Sequence, residues 1–288
     1  MTISTSSAEA SQSQQETPKP RRRKLLLLAL GTCLTAFLLG CVARGPVCWP
    51  FDLMWNMGGV VEAEALSCPE DGKVRVVFLQ HGMWRTSMAL NRLERALRHN
   101  GYEVINTGYS STNGYLSDHA KRLRDVVEER AAKGPIDEIS FVGHSMGGVV
   151  IHEYLRRPDS REPKACVYIA VPQRGAILVD IYRNWFLYDW IMGEKASHQL
   201  ATVDPIQKLP IPYGDRSGAI VGDLGDSNSK IPGHDDGTVG VSEATFEGLA
   251  DSVLVPFGHT RIIVADQVLR QVMHFLLSGK FADDEKSG

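Results

Sequence analysis

The chain has 288 residues, 43% of them hydrophobic and 23% charged, with a formal net charge of -3. That length and balance suit a globular protein able to bury a full core, most simply as one large domain. The near-balanced charge leaves no basic excess to recruit nucleic acid.

The first twenty residues, "MTISTSSAEASQSQQETPKP", hold too few apolar groups to offset the entropy of ordering them, so residues 1–24 are expected to be disordered. That segment ends in the basic run Arg21, Arg22, Arg23 and Lys24. Residues 25–43, "LLLLALGTCLTAFLLGCVA", carry no charge and form a signal or membrane-anchor segment. At about 1.5 Å per residue a helix of this length barely crosses a bilayer core of roughly 30 Å. The basic run before it should remain cytoplasmic, which places everything after Arg44 outside the cytoplasm. Two readings stay open. Either the segment persists as an uncleaved anchor, or Leu38-Leu39-Gly40-Cys41 is read as a signal, because it resembles that of a bacterial lipoprotein, with Cys41 acylated as the new N-terminus. Leu39 departs from that pattern, where a smaller residue is usual. Both readings tether the protein to a membrane.

Residues 44–72, rich in Pro, Gly and apolar side chains, form a connector. Cys48 and Cys68 flank the start of the folded part and are candidates for a disulfide in an oxidising compartment. Cys166, within "ACVYIAV", reads as a buried strand residue. The absence of any CxxC or Cys/His cluster predicts no metal.

From 73 to 280 strand and helix patterns alternate. "KVRVVFLQ" (73–80) is a strand, and "SMALNRLERALRHN" (87–100) places Leu90, Leu93 and Leu97 at helical spacing before Gly101. "YEVINTGY" (102–109) reads as a strand. Residues 116–134 read as a helix with Leu116, Ala120, Leu123 and Val127 on one stripe, Ser117 as N-cap and Gly134-Pro135 as stop. "EISFVG", "KACVYIAV", "GAIVG" (218–222) and "DSVLVPF" (251–257) are further strands, "MGGVVIHEYLRR" is a helix, and a last helix runs over 260–280. Residues 281–288 are expected to be a disordered tail. Apolar strands separated by amphipathic helices predict an α/β fold, a mostly parallel sheet covered on both faces.

Gly143-His144-Ser145-Met146-Gly147 fits the pattern G-x-S-x-G between a strand and a helix. Such a turn lifts the serine oxygen clear of the sheet and aims the first N–H groups of the helix at what it attacks. A serine hydroxyl needs a base. His259, in "VPFGHTRII", sits just past the last strand, where loops at the carboxyl ends gather. His99, His119, His152 and His274 fall on helices, His198 in an irregular stretch and His234 in a loop. The base needs a carboxylate to fix its tautomer. Asp236, in "GHDDGTVGVSEA", precedes His259 and gives the order Ser, Asp, His, with Asp223, Asp226 and Asp235 as neighbouring alternatives. In "FLQHGMWRT", His81-Gly82 lets the chain bend towards the nucleophile. The oxyanion donors are then assigned to the backbone N–H groups of Met83 and Met146, with His81 bracing the turn.

Taken together, the HG turn, the GHSMGG elbow, the "DGTV" acid loop and the late "GHT" resemble the α/β-hydrolase superfamily, its lipase and esterase members in particular, over roughly residues 73–278. The resemblance implies a Ser-His-Asp hydrolase of carboxylic esters that uses no organic cofactor and acts on acyl-ester or lipid substrates. In some lipases with a similar acid loop a structural calcium lies nearby, and Asp235 beside Asp236 raises that possibility here. The aromatic-rich stretch 178–196 is either a cap over an acyl pocket or an amphipathic helix packed on the sheet. The same triad also serves thioesterases, amidases and acyltransferases, and a fold of this kind that has lost activity serves as a tethered binding module.

Overall fold

The structure, a computed structural model, describes residues 67–283. The N-terminal segment 1–24, the apolar segment 25–43 with Cys33 and Cys41, most of the connector with Cys48, and residues 284–288 lie outside the described residues. Among the described residues, no helix is long and apolar enough to cross a membrane.

Six strands form one sheet: β1 (Arg75–Gln80), β2 (Glu103–Thr107), β3 (Glu138–His144), β4 (Ala165–Ile169), β5 (Ser217–Gly222) and β6 (Asp251–Val255). Their order is β2-β1-β3-β4-β5-β6, and every neighbouring pair is parallel. The helices are α1 (Asn91–His99), α2 (Leu116–Ala131), α3 (Met146–Leu155), α4 (Ile177–Tyr182), α5 (Tyr188–Met192), α6 (Ala196–Gln199) and α7 (Asp266–Ser278). The parallel sheet with helices on both faces is the α/β fold that the alternating pattern predicts, and it agrees with the α/β-hydrolase architecture that the resemblance implies.

The alternation of side chains along each strand divides the core in two. Val77 and Leu79 of β1 pack with Leu93 and Leu97 of α1 and Val268 and Val272 of α7. Val76 and Phe78 pack on the opposite face with Leu123 and Val127 of α2 and Val150 and Tyr154 of α3. Because both faces are covered, the central strands read as unbroken apolar runs, and β1 is buried at all six positions.

Several boundaries differ from the periodicity. The first predicted helix begins as a 3-10 turn over Ser87–Leu90, and the last one is split into a 3-10 turn at Ile262–Val264 and α7. Ala265, extended at ψ 132°, separates the two pieces. The N-terminus of α2 is closed by Asp118, whose carboxylate accepts the Tyr115 N–H at 2.8 Å, rather than by Ser117. The aromatic stretch is broken into the short helices α4 and α5, with α6 beginning at its last residue, and Gly193 at φ 83° ends α5.

The packed chain also runs past residue 280. Phe281 is buried against Phe275, their ring centroids 4.8 Å apart, and its N–H donates to Asp251 at 2.9 Å. Gly218 of β5 leaves room for both rings, since a Cβ there would lie 2.4 Å from Phe275 and 2.7 Å from Phe281. Phe281 therefore belongs to the core, because its ring completes the face of the sheet under α7. Replacing Phe281 with Ala should destabilise the domain by about 3 kcal/mol, read as a lower urea midpoint at an unchanged m-value.

Candidate active site

Ser145 stands at the junction of β3 and α3 with φ 52°, a left-handed conformation that is strained for a residue with a side chain. Its N–H donates to the Ile169 carbonyl of β4 at 3.0 Å, which pins the turn to the sheet. Glycines make the crossing possible. A Cβ on Gly147 would sit 2.2 Å from the Gln80 carbonyl oxygen, and one on Gly148 would sit 2.3 Å from Val171. Helix α3 thus starts in direct contact with the carboxyl ends of β1 and β4.

His259 lies in the loop after β6. Its Nδ1–H donates to Asp236 Oδ2 at 2.7 Å, so Nε2 carries the lone pair that accepts the Ser145 Oγ–H at 3.0 Å. The structure brings Ser145, His259 and Asp236 into one chain of hydrogen bonds. The Asp236 side chain is 1% exposed, and Oδ1 accepts N–H groups from Thr238 at 2.9 Å and Val239 at 2.7 Å. A buried carboxylate is tolerable because these donors and the imidazole satisfy it. The His259 N–H also donates to the Asp236 carbonyl at 2.9 Å, which joins the two loops.

The alternative acids are engaged elsewhere. Asp223 accepts the Gly225 N–H and meets the His234 ring at about 3.0 Å, and Asp226 is exposed. Asp235 is buried and accepts from the Ser227 hydroxyl and from the N–H groups of Asn228 and Gly237 at 2.9 and 2.6 Å. Its oxygens serve the loop and do not fit a calcium site, and no cluster of three or more metal-ligating side chains occurs among the described residues.

The peptide joining Gly82 to Met83 is aimed by His81. Tyr109 N–H donates to His81 Nε2 at 3.3 Å, so the proton resides on Nδ1, which donates to the Gly82 carbonyl at 2.9 Å. In a planar trans peptide the carbonyl and the following N–H point in opposite directions. Holding the Gly82 oxygen on the His81 side therefore turns the Met83 N–H the other way. Gly82 is also close to Ser145, since a Cβ on it would lie 2.9 Å from Ser145 Cβ. Met146 opens α3, where an N–H has no partner within the helix.

Two supporting residues escape the sequence. His144 is buried beside His259, 4.9 Å between ring centroids, and its Nε2–H donates to the His259 carbonyl at 3.0 Å. Burial, and then the nearby His259 and Arg85, hold its pKa well below the usual histidine range, so it stays neutral. Its place in the variable position before the serine gave no hint of that bond. Glu243 joins the acid loop to the cap by accepting the Gly240 N–H and the Ile177 N–H, both at 2.6 Å.

An apolar cavity of about 580 Å³ opens onto Ser145 and His259. Tyr182, Trp185, Tyr188, Ile191 and Met192 line it, so the aromatic stretch caps the site. The outer side of the cap is apolar too, with Phe186 83% exposed and Trp190 58% exposed.

A family model described as alpha/beta hydrolase family matches residues 76–259, more than half of the chain. The chain belongs to the alpha/beta hydrolase family. Among solved structures, the mature form of the lipase BlEst2 from Bacillus licheniformis aligns with TM-score 0.54 and 18% identity, covering 73% of this chain and 94% of that one. Phospholipase PlaB from Legionella pneumophila aligns with TM-score 0.57 and 14% identity, covering 75% of this chain and 61% of that one. A metagenomic carboxyl esterase aligns with TM-score 0.52 and 18% identity, covering 77% and 78%. At these identities the similarity is one of fold. No curated protein matches the sequence.

The brace under the His81-Gly82 turn makes an acid-sensitive support. His119 of α2 is buried against Tyr109, with ring centroids 4.7 Å apart, and Tyr109 stacks on His81 at 4.3 Å. Burial lowers the His119 pKa to about 4, whereas an unfolded histidine titrates near ~6.5. Between these values the unfolded chain binds a proton that the native chain excludes, so stability falls as pH falls through that window. His119→Gln should make the loss of urea stability between pH 7 and 4.5 shallower than in the parent protein.

Proposed function

We propose that this hydrolase cleaves carboxylic esters with apolar acyl groups through an acyl-enzyme on Ser145. The observation that carries the reading is the chain of bonds from Asp236 through His259 to Ser145, ending at the floor of an apolar cavity. Ser145 Oγ attacks the acyl carbonyl while His259 Nε2 takes its proton. Asp236 holds the imidazole in the required tautomer and stabilises the imidazolium. The developing oxyanion is received by the N–H groups of Met83 and Met146, each of which contributes about 3 kcal/mol to the transition state by analogy with such donors elsewhere. His259 then returns the proton to the leaving alcohol, and a water repeats the sequence to release the acid.

The acyl chain occupies the space between Tyr188, Met192 and Leu200, where apolar walls exclude water from the ester intermediate. Structures sharing the fold include a lipase, a phospholipase and a carboxyl esterase, in keeping with an acyl-ester or lipid substrate. Residues 25–43 support a membrane tether, by anchor or by lipidated Cys41, with the catalytic part outside the cytoplasm.

Ser145→Ala should abolish both ester turnover and labelling by a fluorophosphonate without lowering the melting temperature. Labelling that persists in that variant would remove Ser145 from the mechanism. Asp236→Asn should reduce kcat by about 10⁴ while leaving KM nearly unchanged, since it alters the tautomer of His259 rather than the cavity. A panel of p-nitrophenyl esters, acyl-thioesters and amides should show the esters turned over fastest.

A further inference from the structure

Trp84 follows the oxyanion residue Met83 directly and is held at φ 62°, a left-handed conformation that a bulky residue adopts only under constraint. Two hydrogen bonds supply the constraint. Its N–H donates to Ser111 Oγ at 3.0 Å, in the loop after β2, and its indole Nε1–H donates to the Ile191 carbonyl of α5 at 3.0 Å. The same loop seats the cap. Ala196 N–H donates to the Gly114 carbonyl at 3.0 Å, and Gly193 packs so closely that a Cβ would lie 2.1 Å from the Thr112 oxygen. Trp84 and Ile191 both line the acyl cavity.

One residue therefore touches the oxyanion turn, the cap and the substrate cavity. Gly82, two positions earlier, is packed against Ser145, so little slack separates a movement of Trp84 from the Met83 N–H. A single hydrogen bond is comparable with the cost of holding a bulky residue left-handed, so the latch to Ile191 sits near balance until something else supports it.

We propose that Trp84 is a positioning residue that couples filling of the acyl cavity to the oxyanion donor. An acyl chain long enough to reach α5 packs on the indole and Ile191, keeps the Nε1–H···O bond closed and fixes the Met83 N–H for the transition state. A short acyl group leaves the latch unsupported. Part of the binding energy of a long chain then appears in kcat and not only in KM. This rests on the ester-hydrolase reading and adds that the preferred substrates carry acyl chains of medium length or longer.

The test compares kcat and KM of the full-length chain and its Trp84→Phe variant on p-nitrophenyl acetate and octanoate. The parent protein should show kcat rising about tenfold from acetate to octanoate. In W84F, which loses the N–H donor but keeps an aromatic ring, that ratio should collapse to within about twofold, mainly through lower kcat on octanoate, with the octanoate KM changed by less than about threefold. Ser111→Ala, which removes the other tether, should flatten the same ratio and serves if W84F folds poorly. Equal losses on both esters, a loss confined to KM, or a kcat independent of chain length in the parent protein would overturn the coupling. A parent protein that hydrolyses neither ester would instead overturn the ester-hydrolase reading beneath it.

Discussion

The site depends on how tightly the start of α3 is pressed between β1 and β4. Gly147 lies against the Gln80 carbonyl and Gly148 against Val171, while a Cβ on Gly143 would lie 2.6 Å from the Gly148 backbone. No other residue type fits at these three positions without displacing main chain or a buried side chain. This contact forces Ser145 to φ 52° and leaves its hydroxyl above the sheet instead of inside it. The strain is offset by the bond from Ser145 N–H to Ile169 and by the burial of most of α3 beneath α2 and the cap.

The other members of the site reach that fixed serine through paired anchors. Asp236 is held by N–H groups from its own loop and in turn receives the His259 N–H on its carbonyl, so acid and base move together. His144 then ties the His259 carbonyl to the residue before the nucleophile. The neutral state that burial imposes on His144 suits this role, because an imidazolium there would oppose the positive charge that the proposed mechanism gives His259. His81 applies the same logic at the turn after β1, gripping the Gly82 carbonyl and so fixing the peptide plane that carries the Met83 N–H. Short hydrogen-bonded turns thus give loop residues the precision that the sheet gives Ser145.

What the sequence disclosed follows from how local each signal is. The strands of the sheet were legible because a parallel sheet buried on both faces demands unbroken apolar runs, and Val76 to Leu79 provide one. Ser145 was legible because the crowding at the elbow selects glycines at fixed offsets. Asp236 was separable from Asp223, Asp226 and Asp235 only by chain order and motif, and its distinction from them is three-dimensional: it alone among the four contacts His259. His144, Trp84 and Glu243 were not legible, since each acts through a backbone carbonyl or N–H of a residue distant in the chain, and such partners leave no pattern of residue types. The cap was half legible. Its aromatic density marked the stretch, but the break between α5 and α6 falls at Gly193, which fits against Thr112, a contact that spacing does not reveal.

The proposed mechanism turns on a covalent bond between an acyl group and Ser145. Quenching the protein with acid during turnover of an acyl ester, followed by peptide mass analysis, tests it directly. The predicted result is added acyl mass on the peptide spanning β3 and α3, located at Ser145. Acyl mass on a different residue, or sustained turnover with none on this peptide even when deacylation is slowed, would contradict it.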